Sequence, residues 1–296
     1  MPALFIFAEQ FDSAEIIMTR SAKAFRWILP LVAIIIAAAS CGSKAKAPKI
    51  LVLYYSQSSN TKAVAEEFAT RLGADIEEIV PAEPYGGSYQ EVIERSVKER
   101  ELGVLPEVNP ISSDIASYDI IFLGYPVWFG TYALPVASLL DSIDLNGKKV
   151  VPFCTFGSGG LSSSSRDLAA KFPDAEILPG YGVRAARLEA APQEIDRFLK
   201  EGGFVEGDCE PLEEFSEQHA VSDEESAIFD AAVGDYPMIH AKASEVSSRP
   251  VPGGTEYLFT ALDLPREGVP QQPGREFKVY VNVLEGQAPE FTQVVR

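Results

Sequence analysis

The six residues "SQSSNT", Ser56, Gln57, Ser58, Ser59, Asn60 and Thr61, gather hydroxyls, amides and successive backbone N–H groups in one short stretch. They stand between an apolar run, Ile50 to Tyr55, and a segment whose Val64, Phe68 and Leu72 recur at helical spacing. The chemistry this suits is anion binding. A turn from strand to helix leaves the first N–H groups of the helix without partners and aims the positive end of the helix at the same spot. A second stretch, "PVWFG", Pro126, Val127, Trp128, Phe129 and Gly130, follows another apolar run, and its two adjacent aromatics cannot both point into one core. A third, "TFGSGG", Thr155, Phe156, Gly157, Ser158, Gly159 and Gly160, offers glycine-rich backbone after a third apolar run. A phosphate cradle, an aromatic pair and a glycine-rich loop at three strand ends describe a pocket for a planar ring with a phosphate tail. A flavin mononucleotide (FMN) meets that description.

The elements that must position these stretches follow from periodicity. Strand patterns cover 49–55, 74–80, 118–125, 149–155 and 175–181, and helical patterns cover 61–72, 88–102, 134–143, 163–172 and 192–200. Five strands alternating with five helices predict an α/β fold, a doubly wound and mostly parallel sheet with right-handed crossovers. Ligands of such sheets sit beyond the carboxyl ends of the strands, where all three stretches fall. Asp119, Asp141 and Asp144 are expected near the same sheet, where their charge would disfavour an anionic reduced flavin and hold its potential low. Gly130 would let a backbone carbonyl turn toward the ring cheaply.

The chain has 296 residues and a formal net charge of -18. Residues 25 to 39, "FRWILPLVAIIIAAA", carry Arg26 near their start, follow Arg20 and Lys23 and lead into "AASCG", the pattern of a secretion signal rather than a spanning helix. The "AASC" segment resembles a lipobox, which implies cleavage before Cys41 and lipid attachment to it. Glu9, Asp12 and Glu15 do not suit the start of a signal, so translation is expected to begin at Met18. Residues 1 to 40 hold three basic and three acidic residues, so the remainder keeps -18. That surface disfavours nucleic acid and anionic lipid. Cys154 and Cys209 could pair or stand as free thiols, and neither His219 nor His240 has a neighbouring Cys or His to make a metal set.

Residues 203–220 are acidic and poor in apolar side chains and read as a linker. From 221 to 296 a short helical pattern, "EESAIFDAAV", precedes "MIHAKASEVSS", "TEYLFTALDL" and "EFKVYVNVLEG", whose alternation predicts an antiparallel sheet with one wet face. The domains expected are thus 1–41 signal and lipidation site, 42–48 tether, 49–202 the α/β unit, 203–220 linker and 221–296 a small α+β unit.

Residues 50 to about 200 resemble the flavodoxin family, in particular its shorter members. "SQSSNT" matches the family's phosphate loop, "PVWFG" its second loop and "TFGSGG" its third. The resemblance implies a flavodoxin-like five-stranded sheet and FMN as cofactor. It also implies that Ser56, Ser58, Asn60 and Thr61, with the backbone of Gln57 and Ser59, hold the phosphate. Pro126 to Gly130 would pass along the ring and ribityl chain, and Thr155 to Gly160 would close the other side. Phe129 stands where many relatives carry a second Trp, and the third loop lacks the Tyr-bearing insert of longer flavodoxins, so the far ring face is expected to be open enough for a small quinone. The function implied is electron transfer by an exported protein, lipid-anchored to the bacterial cell envelope, with a redox protein partner or a quinone-like substrate. An FMN-dependent NAD(P)H:quinone-type reductase and a cofactor-free envelope binding lipoprotein are the alternatives. Residues 221–296 resemble the cystatin fold in the order helix, strand, "PVPGGTEYLF" hairpin, strand.

Overall fold

The structure is a computed structural model that describes residues 47–234, 236–265 and 275–296. The expected signal, Cys41, the start at Met18 and most of the tether lie outside the described residues, as does most of the connection 265–274. Among the described residues no helix is long and apolar enough to cross a membrane.

The first half follows the predicted alternation: β1 (Ile50–Tyr54), α1 (Asn60–Leu72), β2 (Asp75–Glu78), α2 (Tyr89–Leu102), β3 (Ile120–Trp128), β4 (Thr131–Tyr132), α3 (Leu134–Ser142), β5 (Lys149–Phe156), α4 (Leu161–Lys171), β6 (Glu176–Ile177), β7 (Tyr181–Arg184) and α5 (Ala191–Glu201). β2, β1, β3 and β5 lie side by side and parallel, and β6 and β7 both continue the sheet on the free edge of β5. This is a flavodoxin-like order, with the reversal between β1 and β3. Alternate side chains separate the two faces. Leu51, Leu53, Ile121 and Leu123 are buried on one side with Val136, Leu140 and Leu168, and Val52, Phe122, Val151 and Phe153 on the other with Phe68, Ile195 and Leu199. Each fully buried side chain of this size contributes about 1.5–3 kcal/mol.

Two elements differ from expectation. The fifth strand is broken: β6 pairs with Lys149 and Val150, β7 with Phe153 to Phe156, and Pro179 and Gly180 lie between them. Proline has no N–H for a ladder, and the Cβ that Gly180 lacks would lie 2.5 Å from the Pro152 carbonyl oxygen. The third strand runs on to Trp128 instead of stopping at Tyr125, because Val127 and Trp128 pair with Tyr132 and Thr131 of β4. The two residues left to turn are Phe129 (φ 53°) and Gly130 (φ 83°), the left-handed pair that a two-residue hairpin requires.

The second half is an antiparallel meander with one helix: β8 (His219–Ala220), α6 (Asp223–Val233), β9 (Ala241–Val251), β10 (Gly254–Asp263), β11 (Glu276–Leu284) and β12 (Glu290–Val295), in the order β12-β11-β10-β9-β8. Pro252 and Gly253 (φ 79°) make the hairpin between β9 and β10. Phe229 of α6 is buried against Phe259, their rings 5.3 Å apart. The acidic stretch before β8 is pinned to this sheet, with Ser216 N–H donating to Ser248 O at 2.8 Å and Arg249 lying 4.4 Å over the Phe215 ring. Both sheets belong to one compact unit.

Candidate functional site

At the elbow, β1 ends and α1 begins at Asn60, with Ser59 in the left-handed region at φ 65°. A left-handed residue followed by a right-handed helix turns successive N–H groups to one side, the arrangement that cups an anion. Among the described residues nothing accepts the N–H groups of Ser58, Ser59, Asn60 or Thr61, whereas Lys62 N–H donates to Ser56 Oγ at 3.1 Å and Ala63 N–H to Ser59 O at 3.0 Å. The six elbow residues divide by role. Gln57 is held at both ends, accepting from Tyr55 OH at 2.6 Å and donating to Tyr85 O at 2.8 Å. Thr61 is buried, and its hydroxyl shares a 2.8 Å hydrogen bond with that of Thr155. Ser56, Gln57 and Thr61 thus spend their side chains on holding the loop, and Ser58, Ser59 and Asn60 leave theirs available.

The Thr61–Thr155 bond brings the first stretch against the third. The second lies between them in the sheet, since β3 separates β1 from β5. Its residues alternate in direction. Trp128 turns toward the β1 side and sits edge-on between Tyr55 (5.8 Å) and Tyr85 (5.2 Å). Val127, Phe129 and Gly130 face the other way and line a cleft of about 490 Å³ with Phe156 to Gly160. Burial pushes the Tyr55 and Tyr85 phenols further above their ordinary range, so they stay neutral and act as donors, Tyr55 to Gln57 and Tyr85 to Glu99. The Cys154 thiol is buried in the sheet, which raises its pKa well above the ordinary value, and both Cys154 and Cys209 are free thiols.

This geometry bears on four expectations. Asp119, Asp141 and Asp144 lie where the strands begin, Asp119 accepting from Lys49 N–H at 2.7 Å and Asp141 paired with Lys171. A nine-residue strand rising about 3.3 Å per residue separates Asp119 from the loops by about 30 Å, several screening lengths at physiological salt. Those carboxylates do not set the electrostatics of the cleft. The Gly130 carbonyl is already taken by the Ser163 hydroxyl at the start of α4. Trp128 stands outside this cleft, against Tyr55 and Tyr85. And Tyr236, Met238 and residues 293–296 of the second half line this cleft as well.

The glycines of the third stretch have a packing reason. A Cβ on Gly157 would lie 2.7 Å from the Tyr236 hydroxyl, one on Gly159 would collide with the Val294 carbonyl, and one on Gly160 with Val127. Sequence reasoning missed Tyr85 and Tyr236 as neighbours of the site. Tyr85 in "EPYGGS" was open to notice as an aromatic in a polar loop, whereas Tyr236 meets Gly157 only through the packing of two separate sheets. Among the described residues no group of acidic, His and Cys side chains could hold a metal ion.

Residues 49–194 match the family model described as flavodoxin. No curated protein matches the chain. Among solved structures, a provisionally named flavoprotein from Bacteroides eggerthii is 29% identical, with 50% of this chain and 96% of that one covered and a TM-score of 0.43. Another from Bacteroides uniformis is 28% identical, covering 51% and 99%, with a TM-score of 0.45. A flavoprotein from Lactobacillus acidophilus, solved in complex with FMN, is 24% identical over 51% of this chain and 97% of that one, with a TM-score of 0.43. The match to the flavodoxin family model spans the part of the chain that carries the elbow and its two companion loops.

Proposed function

We propose that the chain is an FMN-binding electron-transfer protein of the flavodoxin type, held at the cell envelope by a lipid on Cys41. The observation that carries the cofactor is the set of four N–H groups without acceptors among the described residues, Ser58 to Thr61, at the start of a helix that the Thr61–Thr155 bond ties to the root of the third loop. The donor set fits a phosphate monoester: backbone N–H groups, the positive helix end and the available side chains of Ser58, Ser59 and Asn60. Gln57 and Thr61 fix the loop that presents them. Phe129 and the third loop would border the ring, with Val127 packed against Gly160 beside it. FMN, once held, supplies the electron chemistry, and the chain supplies position and surroundings. Tyr55 and Tyr85, held neutral, offer no proton acceptor.

A reductase acting on a quinone-like acceptor is the second reading, favoured by the apolar rim of the cleft, where Phe129 and Met238 are exposed. Titrating the full chain with FMN and following the quenching of flavin fluorescence tests the first reading, and protein that leaves the emission unchanged is instead a cofactor-free binding lipoprotein. NAD(P)H oxidation with quinone by the loaded protein separates reductase from carrier. The lipid anchor rests on the "AASC" segment alone, and a membrane fraction that retains the protein after Cys41→Ala would contradict it. For the second half, a helix followed by an antiparallel meander is compatible with the cystatin resemblance, and no inhibitory role is inferred from it.

A further inference from the structure

We propose that the second half supplies the far wall of the flavin cleft, with Tyr236 and β12 as positioning residues for the ring, so that this sheet is part of the cofactor site. The proposal rests on the FMN reading above. The third loop cannot wall a ring by itself, for from Gly157 to Gly160 it carries no side chain larger than serine. The bulk on that side comes from Tyr236, Met238 and the end of β12, which line the same cleft as Val127 and Phe129.

The wall is fixed to the loop by three independent contacts. Val294 N–H donates to Ser158 O at 2.6 Å, so β12 pairs its outer edge with the loop. Arg184, at the end of β7, donates to Gly157 O and to Phe291 O, each at 2.9 Å, and lies 3.5 Å over the Phe291 ring. Tyr236 packs on Phe291 at 5.1 Å and brings its hydroxyl to Gly157. The absence of Cβ atoms at Gly157 and Gly159 is what permits these approaches. An edge strand with unpaired groups is a liability unless covered, and here the loop covers it. The same contact sets the width of the slot in which the ring would lie.

The test is peptide-level hydrogen exchange of the full chain with and without FMN, together with flavin titrations of two Tyr236 variants. FMN should slow exchange in peptides covering 56–61 and 155–160 and equally in those covering 236–239 and 290–296. Tyr236→Leu should weaken FMN and riboflavin alike by about tenfold, the loss of one aromatic contact, and Tyr236→Phe should restore both. Slowed exchange in the loops with none at 236–239 and 290–296, or wild-type binding of both flavins by Tyr236→Leu, would overturn the wall and leave the FMN reading standing. Exchange unchanged everywhere would overturn both.

Discussion

Phe129 and Thr61 illustrate how single residues at this site serve the fold and the ligand in different proportions. Phe129 is a bulky residue at φ 53°, half exposed, with Arg100 4.8 Å over its ring. A side chain in that conformation costs about 1–2 kcal/mol, and a cation over an exposed ring returns only about 0.5–1 kcal/mol. Phe129→Asn should therefore raise stability in urea by up to about 1 kcal/mol while weakening FMN, because the cleft loses its outer wall. Equal or tighter FMN binding would show that the strain serves nothing at the site. Thr61 belongs to the fold. Thr61→Val leaves the buried Thr155 hydroxyl without its partner and should cost about 1–3 kcal/mol with or without FMN, whereas Thr61→Ser should recover most of it. A neutral Thr61→Val would contradict the bond. That Ser, Asn and Thr cluster at the elbow was legible in the sequence, but which of them face an anion was not, since that depends on where Tyr55, Tyr85 and Thr155 stand.

Among the elements, the start of α6 carries a pH dependence. Ser222 caps the helix in a mutual pair with Glu225, and His219 Nε2 lies 3.0 Å from Glu225 Oε1. The carboxylate, first through its hydrogen bond, raises the His219 pKa above its ordinary 6.5. Burial would push Glu225 up, but hydrogen bonds from Ser222 and His219 outweigh it and hold the carboxyl below its ordinary 4.5. The His219 contribution is therefore complete below pH 6.5 and is lost as pH rises through the higher folded value. The Glu225 contribution is present above pH 4.5 and is lost as pH falls through the lower folded value. The urea midpoint should thus decline as pH rises from about 6 to 8, and His219→Gln should flatten that decline; an undiminished slope in the variant would assign it elsewhere. At this scale the sequence was informative where periodicity ran long, as in α1 and β1. It failed at β6 and β7, where the break comes from the Pro179–Gly180 pair, and at β3, whose extension depends on a two-residue partner strand.

For the whole molecule, the two sheets are joined by charges that composition could not reveal. Arg184 and Arg187 are buried where the sheets meet, and Arg187 pairs with Glu194 at 2.9 Å on its own side and with Glu290 at 3.0 Å on the other. Burial pulls the Arg184 pKa down, yet its hydrogen bonds to two carbonyls keep the charge satisfied. Arg184→Ala removes charged hydrogen bonds on both sheets and should cost about 1.5–3 kcal/mol. It should also split thermal unfolding into two transitions as the halves uncouple. A single, unshifted transition would show that the sheets are held together elsewhere. Both sheets were readable as separate patterns, but their docking was not, because it rests on contacts more than a hundred residues apart such as Arg184 with Phe291.

The central claim is that the elbow holds a phosphate, and Ser58→Asp tests it most directly. Ser58 is exposed and has no hydrogen bond to lose among the described residues, so the change spares the fold and sets a negative charge beside the free N–H groups. Losing one charge-assisted bond costs about 1.5–3 kcal/mol and each 1.4 kcal/mol is about tenfold, so FMN affinity should fall about 10- to 100-fold. Riboflavin, which has the ring and no phosphate, should bind the variant as it binds the wild type. Fluorescence titration of both flavins against both proteins gives the answer, and an equal loss of FMN and riboflavin, or no loss of either, would contradict the phosphate site.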